Sequence, residues 1–216
     1  MVEEFRERSY QVHAWPSDPA ARTALEDYLR VRDTDDSAEG TLGGAGLDFR
    51  GADLRDLDLS DAYLAVADLD GVNLAGADLD RATLLGTKLR NANLSAAHLH
   101  KAEADGCEAA SAILAGANLF RASFVKSDLR QADLRGCELS ATNFRESDLR
   151  GVDFRGCHFG PTPTRLTEAQ LSGAKIAEAH GEVRGPIYVD ADRLLGGRHL
   201  EDWFAAAGAP EVHVVE

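Results

Sequence analysis

Proline is nearly missing from the body of this chain: six occur in 216 residues, and none lies between Pro19 and Pro161. Proline lacks a backbone donor and breaks ladders, so its absence leaves a long stretch free to pair regularly. Cysteine is scarce too. Three, an odd number without paired spacing, exclude a disulfide framework. No run approaches the ~20 apolar residues that cross a bilayer, and the first eight residues have no apolar centre of a secretory signal. These absences predict a cytoplasmic protein with no membrane contact. Positive charge is short, 23 basic against 37 acidic side chains, for a formal charge of −14. Such a chain repels nucleic acid and favours basic protein surfaces. Nucleophile elbow, phosphate loop and zinc-finger spacing are absent as well.

What is present is a period of five. The 23 positions ending in 4 or 9 from Phe49 to Phe159 hold sixteen Leu, five Phe (Phe49, Phe124, Phe144, Phe154, Phe159) and two Ala (Ala104, Ala109). Two residues before each lies a column of small residues, from Leu47, Ala52 and Leu57 to Cys157. Five fits neither the helical 3.6 nor the strand period of two. One large and one small inward residue per five require a corner in every repeat, and four corners close a coil of twenty. Stacked coils then bury Leu on Leu and Ala on Ala while backbones pair at about 4.8 Å. Residues twenty apart fall on one face. After Pro161-Thr162-Pro163 the pattern resumes, shifted by two, at Leu166, Leu171 and Ile176 with Thr164, Ala169 and Ala174 before them, a partial last coil.

Units such as Ala52-Asp53-Leu54-Arg55-Asp56, Ala77-Asp78-Leu79-Asp80-Arg81 and Ala132-Asp133-Leu134-Arg135-Gly136 resemble the pentapeptide-repeat consensus A(D/N)LXX. The resemblance implies an all-β solenoid, the right-handed quadrilateral β-helix, here of about six coils of four pentapeptides with small helical flanks. The expected division is an N-terminal strand and helix cap with an acidic linker over 1–46, the β-helix over 47–177, and a C-terminal helical segment over 178–216.

An open β-helix leaves unpaired backbone at its ends, so flanks that cover it are expected. Residues 17–31 read as a helix capped by Ser17, with Pro19 in its first turn and Ala21, Leu25, Tyr28 and Leu29 on one face. Phe5 to Trp15 partly alternates, as a strand does. Asp33 to Gly46, including Gly43-Gly44-Ala45-Gly46, reads as a linker. Near the end Leu200, Trp203, Phe204 and Ala207 recur at helical spacing up to Gly208, and Val212 to Val215 read as a short strand. Leu200, Trp203 and Phe204 are the expected dimerisation residues of a homodimer, as in the quinolone-resistance members of the family; the alternative folds this helix over its own rod.

Chemistry is sparse. Cys107, Cys137 and Cys157 fall in the small inward column and behave there as buried apolar filler. His98-Leu99-His100 sets two imidazoles on one face above Asp78 and Asp80, a pattern that fits either a divalent metal or weak charge partners on a solvated ladder. Outward carboxylates in water keep ordinary acidity and make poor acid–base catalysts. Neither catalytic residues, cofactor nor metal is therefore expected.

Charge carries more. Residues 47–110 have net charge −6 and residues 111–160 net +1. Asp58, Asp78 and Asp80 share one face with Asp61 beside it, and Asp68 and Asp70 share the next with Asp48; Asp58, Asp61, Asp68, Asp70, Asp78 and Asp80 are the expected partner-binding acids. Arg130, Arg135, Arg150 and Arg155 in later coils stand two residues after Asp128, Asp133, Asp148 and Asp153 and can pair with them, while Arg145 stands likewise after an inward Phe. Tyr63, Ala65, Val66, Leu85 and Val125 make one face apolar, as if a flanking segment covered it. Two functions follow. The family's Qnr and MfpA type implies an acidic mimic of DNA that binds DNA gyrase and confers resistance or immunity to a topoisomerase inhibitor. The alternative is a structural or regulatory protein-interaction module with no topoisomerase role. Both are non-enzymatic.

Overall fold

The computed structural model describes residues 12–34 and 40–215. Its body is a repeat β-helix made of isolated parallel bridges between residues twenty apart, in four ladders. The first runs Asp48–Asp68–Lys88–Glu108–Asp128–Asp148, the second starts at Asp53, the third at Asp58 and the fourth at Gly43 and Tyr63. Each rung bonds to the next through main chain: the Leu59 N–H donates to the Asp78 carbonyl at 2.7 Å and the Asp78 N–H to the Leu57 carbonyl at 2.9 Å. Corners form because each large residue accepts the N–H of the small residue three later, as the Phe49 carbonyl does from Ala52 at 3.0 Å. The third residue of these turns has positive φ, from Val66 at 53° to Gly51 at 78°. That is the requirement of a type II turn, and it explains the Gly, Asn and Asp found there.

Both inward columns are buried. Leu54, Leu59, Leu79 and Leu134 are at most 1% exposed, as are Ala62, Ala77 and Ala132. Where the small column is polar, the hydroxyl donates to a carbonyl of the coil beneath: Thr87 to Leu64 at 2.8 Å, Ser127 to Ala104 at 2.9 Å and Thr142 to Leu119 at 2.8 Å. A buried hydroxyl would otherwise carry a desolvation cost of about 1–3 kcal/mol. Toward the C-terminal end the interior becomes aromatic, with Phe124 stacked on Phe144 at 5.6 Å and Phe154 beside Phe159 at 5.8 Å.

The rod begins earlier than the sequence pattern indicates. Leu42 is fully buried, and the Gly44 N–H donates to the Tyr63 carbonyl at 2.8 Å. Residues 42–46 are thus a rung of the fourth face, where the sequence reads as linker. Gly44 occupies a large-column position because a Cβ there would lie 2.7 Å from Leu64 and 2.8 Å from the Phe49 ring. The pattern missed this rung because its large residue has no side chain.

At Pro161-Thr162 two extra residues are accommodated, and the register changes from twenty to twenty-two: Asn143 pairs with Arg165 and His158 with His180. Five short strands follow: β1 Thr164–Arg165, β2 His180–Arg184, β3 Ile187–Asp190, β4 Arg193–Leu195 and β5 Glu211–Val215. β1, β2 and β5 are parallel neighbours, and β3 pairs antiparallel with β4. The ladders therefore pass the expected boundary at residue 177.

Two helices cover the ends. α1, Pro19–Thr34, is capped by Asp18, whose carboxylate accepts the Ala21 N–H at 2.8 Å. Ser17, the expected cap, stands one residue too early once Pro19 takes the first helical position. Ala21, Leu25 and Tyr28 are buried, and the Tyr28 hydroxyl donates to the Asp58 carbonyl at 2.5 Å. Before it, the Ala14 carbonyl accepts the Asp53 N–H at 2.8 Å. The expected strand from Phe5 lies mostly outside the described residues. α2, Gly197–Ala206, covers the far end. Among the described residues no helix is long and apolar enough to cross a membrane.

Candidate protein-binding surfaces

Every repeat turns outward the residue between its two inward ones, and an Asp there, exposed or half-buried, does a local task. Its carboxylate accepts the N–H two residues on: Asp58 from Ser60 at 3.0 Å and Asp78 from Asp80 at 2.9 Å. When that second residue is Arg, the guanidinium closes a two-point ion pair on the same carboxylate, as in Asp128–Arg130, Asp133–Arg135 and Asp148–Arg150. Arg130, Arg135, Arg150 and Arg155 are thereby matched within their own repeats, whereas Arg145 pairs with the adjacent Glu146 and Arg121 lies over the Phe120 ring at 5.0 Å. The side-chain hydrogen bond from Arg50 holds Asp48 down at about 2, and Arg55 does the same for Asp53. Asp133 and Asp153 are lowered by Arg135 and Arg155.

The six acids read as a partner surface divide into two sets. Asp61 pairs with Arg81, Asp68 with Lys88 at 3.1 Å, and Asp70 with Arg90 at 3.2 Å. Each of these pairs joins adjacent coils, so these carboxylates are neutralised from the coil above. Asp58, Asp78 and Asp80 lie together on the third face. Among the described residues no Lys or Arg is in ion-pair contact with Asp78 or Asp80. Asp80 accepts the His100 N–H at 3.1 Å, and the His100 ring nitrogen is 3.5 Å away. Face alone does not show pairing across coils, but the i, i+20 opposition of Asp61 to Arg81 in the sequence does.

The histidines stack on neighbouring rings along this face. His100 stacks on Phe120 at 5.5 Å, and farther along this face His158 stacks on His180 at 4.8 Å with Glu138 2.6 Å from its Nδ1. Among the described residues no group of three or more His, Cys, Asp or Glu is placed to hold a metal ion. The cysteines are buried. Cys137 and Cys157 point at the carbonyls of Leu114 and Leu134, at 3.0 and 2.9 Å. Burial pushes the Cys107 thiol up to about 12, and the neighbouring Cys157 thiol together with burial raises Cys137. Such thiols are poor nucleophiles.

Two expected roles change in the structure. Leu200 and Phe204, read as dimerisation residues, are fully buried in their own chain, and Phe204 meets Phe159 edge-on at 6.4 Å. Trp203 is half-buried against Phe204. The helix closes its own rod because the last aromatic layer would otherwise face water. Conversely, the apolar fourth face is not covered by a described flank: Tyr63 is 53%, Val66 64% and Leu85 39% exposed.

The comparisons agree with this geometry. The family model described as pentapeptide repeats matches in eight copies, over residues 48–84, 58–95, 87–124 and 122–160. Among solved structures the chain is similar to HetL, a pentapeptide repeat protein involved in heterocyst differentiation regulation from the cyanobacterium Nostoc sp. strain PCC 7120. The TM-score is 0.55 at 24% identity, covering 64% of this chain and 72% of that one. It is also similar to QnrB1, a plasmid-mediated fluoroquinolone resistance protein, with a TM-score of 0.49 at 15% identity over 65% and 69% of the two chains. The likeness to HetL bears on fold alone. Among curated proteins no sequence matches. Since the family model spans more than half the chain and the ladders stack its repeats on four common faces, the chain belongs to the pentapeptide-repeat family.

Proposed function

We propose that this protein is a non-enzymatic, right-handed quadrilateral rod that works by binding a basic partner protein through its third face, at Asp58, Asp78 and Asp80. The observation that carries this reading is the way Asp78 and Asp80 are held. Each is oriented by a backbone N–H, at 2.9 and 3.1 Å, and not by a Lys or Arg. Their geometry is set before any partner arrives while their charge stays available, which lowers the ordering cost of association. The net charge of −14 adds steering toward a basic groove. The long solvated faces offer flat ladders in place of an enclosed cleft, which suits a protein surface better than a small substrate.

The narrower form of the reading takes DNA gyrase as the partner, with spaced carboxylates standing in for phosphates. Its support is the acidic balance of the early coils, net −6 over 47–110, and the resemblance of the repeats to the Qnr and MfpA type. A supercoiling assay with purified gyrase, with and without a fluoroquinolone, tests it. The rod is expected to protect supercoiling activity from the drug, and Asp78→Asn with Asp80→Asn to weaken protection about tenfold or more at low salt. A rod without effect on gyrase removes the DNA-mimic reading and leaves the interaction module. Protection that persists in the double variant moves the contact off this face.

A further inference from the structure

On the fourth face two repeats without a charged residue lie on adjacent rungs, Ala62–Val66 and Ala82–Gly86. Val66 is the unusual member. It holds φ of +53°, in the left-handed region that β-branched residues avoid. Strain of this kind is ordinarily retained where burial or function returns something for it. Here the side chain is 64% exposed, so the chain's own core returns little. One rung on, Gly86 at φ +60° lacks the Cβ that would lie 3.3 Å from Val66 Cγ1, so a knob stands next to a hollow. The Asp61–Arg81 pair spans the same two rungs at the corner of the face.

We propose that this patch is the contact between two copies of the chain, packed face to face with antiparallel rods about a two-fold axis between these rungs. That operation keeps each residue's place across the face and exchanges the two rungs. Val66 then enters the hollow at the partner's Gly86, Tyr63 covers the partner's Thr83, and Leu85 covers the partner's Ala65. At the corner Asp61 meets the partner's Arg81, and its own Arg81 meets the partner's Asp61. Two ion pairs become a square of alternating charge. A parallel arrangement would instead lay Asp61 on the partner's Val66, a charge against hydrocarbon, which selects the antiparallel one. One rung outward, Gly43 and Ala45 face the partner's Glu103 and Asp105, so no like charges oppose each other. Asp105 already accepts the Ser123 hydroxyl at 2.5 Å and the Val125 N–H at 2.9 Å. The pairing sets the third faces of both copies on one side. It stands whether or not those faces bind gyrase.

Sedimentation equilibrium on the full chain tests this, with a dimer expected at tens of micromolar. Asn tolerates the left-handed region, so Val66→Asn should raise the melting temperature measured at dilutions where both proteins are monomeric, yet weaken dimerisation at least tenfold. A residue with only a structural role in the monomer would not move these two readouts in opposite directions. Arg81→Asp should dissociate the dimer, and adding Asp61→Arg should restore it by inverting the square. A monomeric wild-type protein overturns the proposal. So does a dimer indifferent to Val66→Asn and Arg81→Asp, or one lost on Leu194→Lys at the C-terminal cap.

Discussion

Leu134 and Asp80 mark the two kinds of position a repeat contains. Leu134 is fully buried between coils whose backbones are bonded above and below, so the space left by Leu134→Ala cannot collapse. That variant should lose about 2–5 kcal/mol in denaturant melts. Asp80→Ala removes one acceptor for the His100 N–H on a solvated face and should lose about 0.5–1.5 kcal/mol. Equal losses would refute the inside–outside assignment. These columns were legible because five-residue periodicity maps directly onto burial. The left-handed third turn residue was less so, since Gly, Asn and Asp mark it in some repeats and Val66, Ala96 or Arg121 fill it in others.

The two terminal helices do the same work in different ways. α1 anchors to main chain, with Tyr28 bonded to the Asp58 carbonyl. α2 closes an aromatic layer through Leu200 and Phe204, and its Glu201 accepts the Val214 N–H at 3.0 Å on the last strand. That carboxylate occupies the edge where another strand would pair. Phe204→Ala should cost about 3–5 kcal/mol and make the melted end prone to association, visible as light scattering below the main thermal transition. Scattering that appears only with global unfolding would show that α2 is not the closure of the rod. Helical spacing in the sequence located α2 and its apolar side. It left open whether that side met a second copy or the chain's own end, because amphipathicity names a buried face but not what buries it.

Across the whole rod, the Asp–Arg pairs set a dependence on acid. Asp48 and Asp53 titrate at about 2 when folded, below the ordinary value of about 3.9. A folded value below the unfolded one means that their contribution is complete above about pH 4 and is lost as pH falls toward 2. Thermal melts should therefore show no change from these pairs between neutral pH and about 5, then a falling midpoint between about 4 and 2. Asp48→Asn with Asp53→Asn should flatten that fall, and salt should shrink it. A slope unaffected by the double variant would show that other groups govern acid stability. The same pairing matches Arg130, Arg135, Arg150 and Arg155 of the arginine-rich later coils to carboxylates.

The sequence by itself determined the solenoid, its four faces, the inward columns and the two-residue shift at Pro161-Thr162, because each is a statement about period and period is local. Tertiary structure decided the rest. Gly44 continues the rod because Phe49 and Leu64 already fill its place. Asp61, Asp68 and Asp70 are neutralised because residues twenty later on the chain stand directly above them. Leu200 and Phe204 turn inward because the last aromatic layer needs cover. In each case the deciding neighbour is distant along the chain, and a repeat that specifies its own fold does not specify which neighbour its variable positions meet.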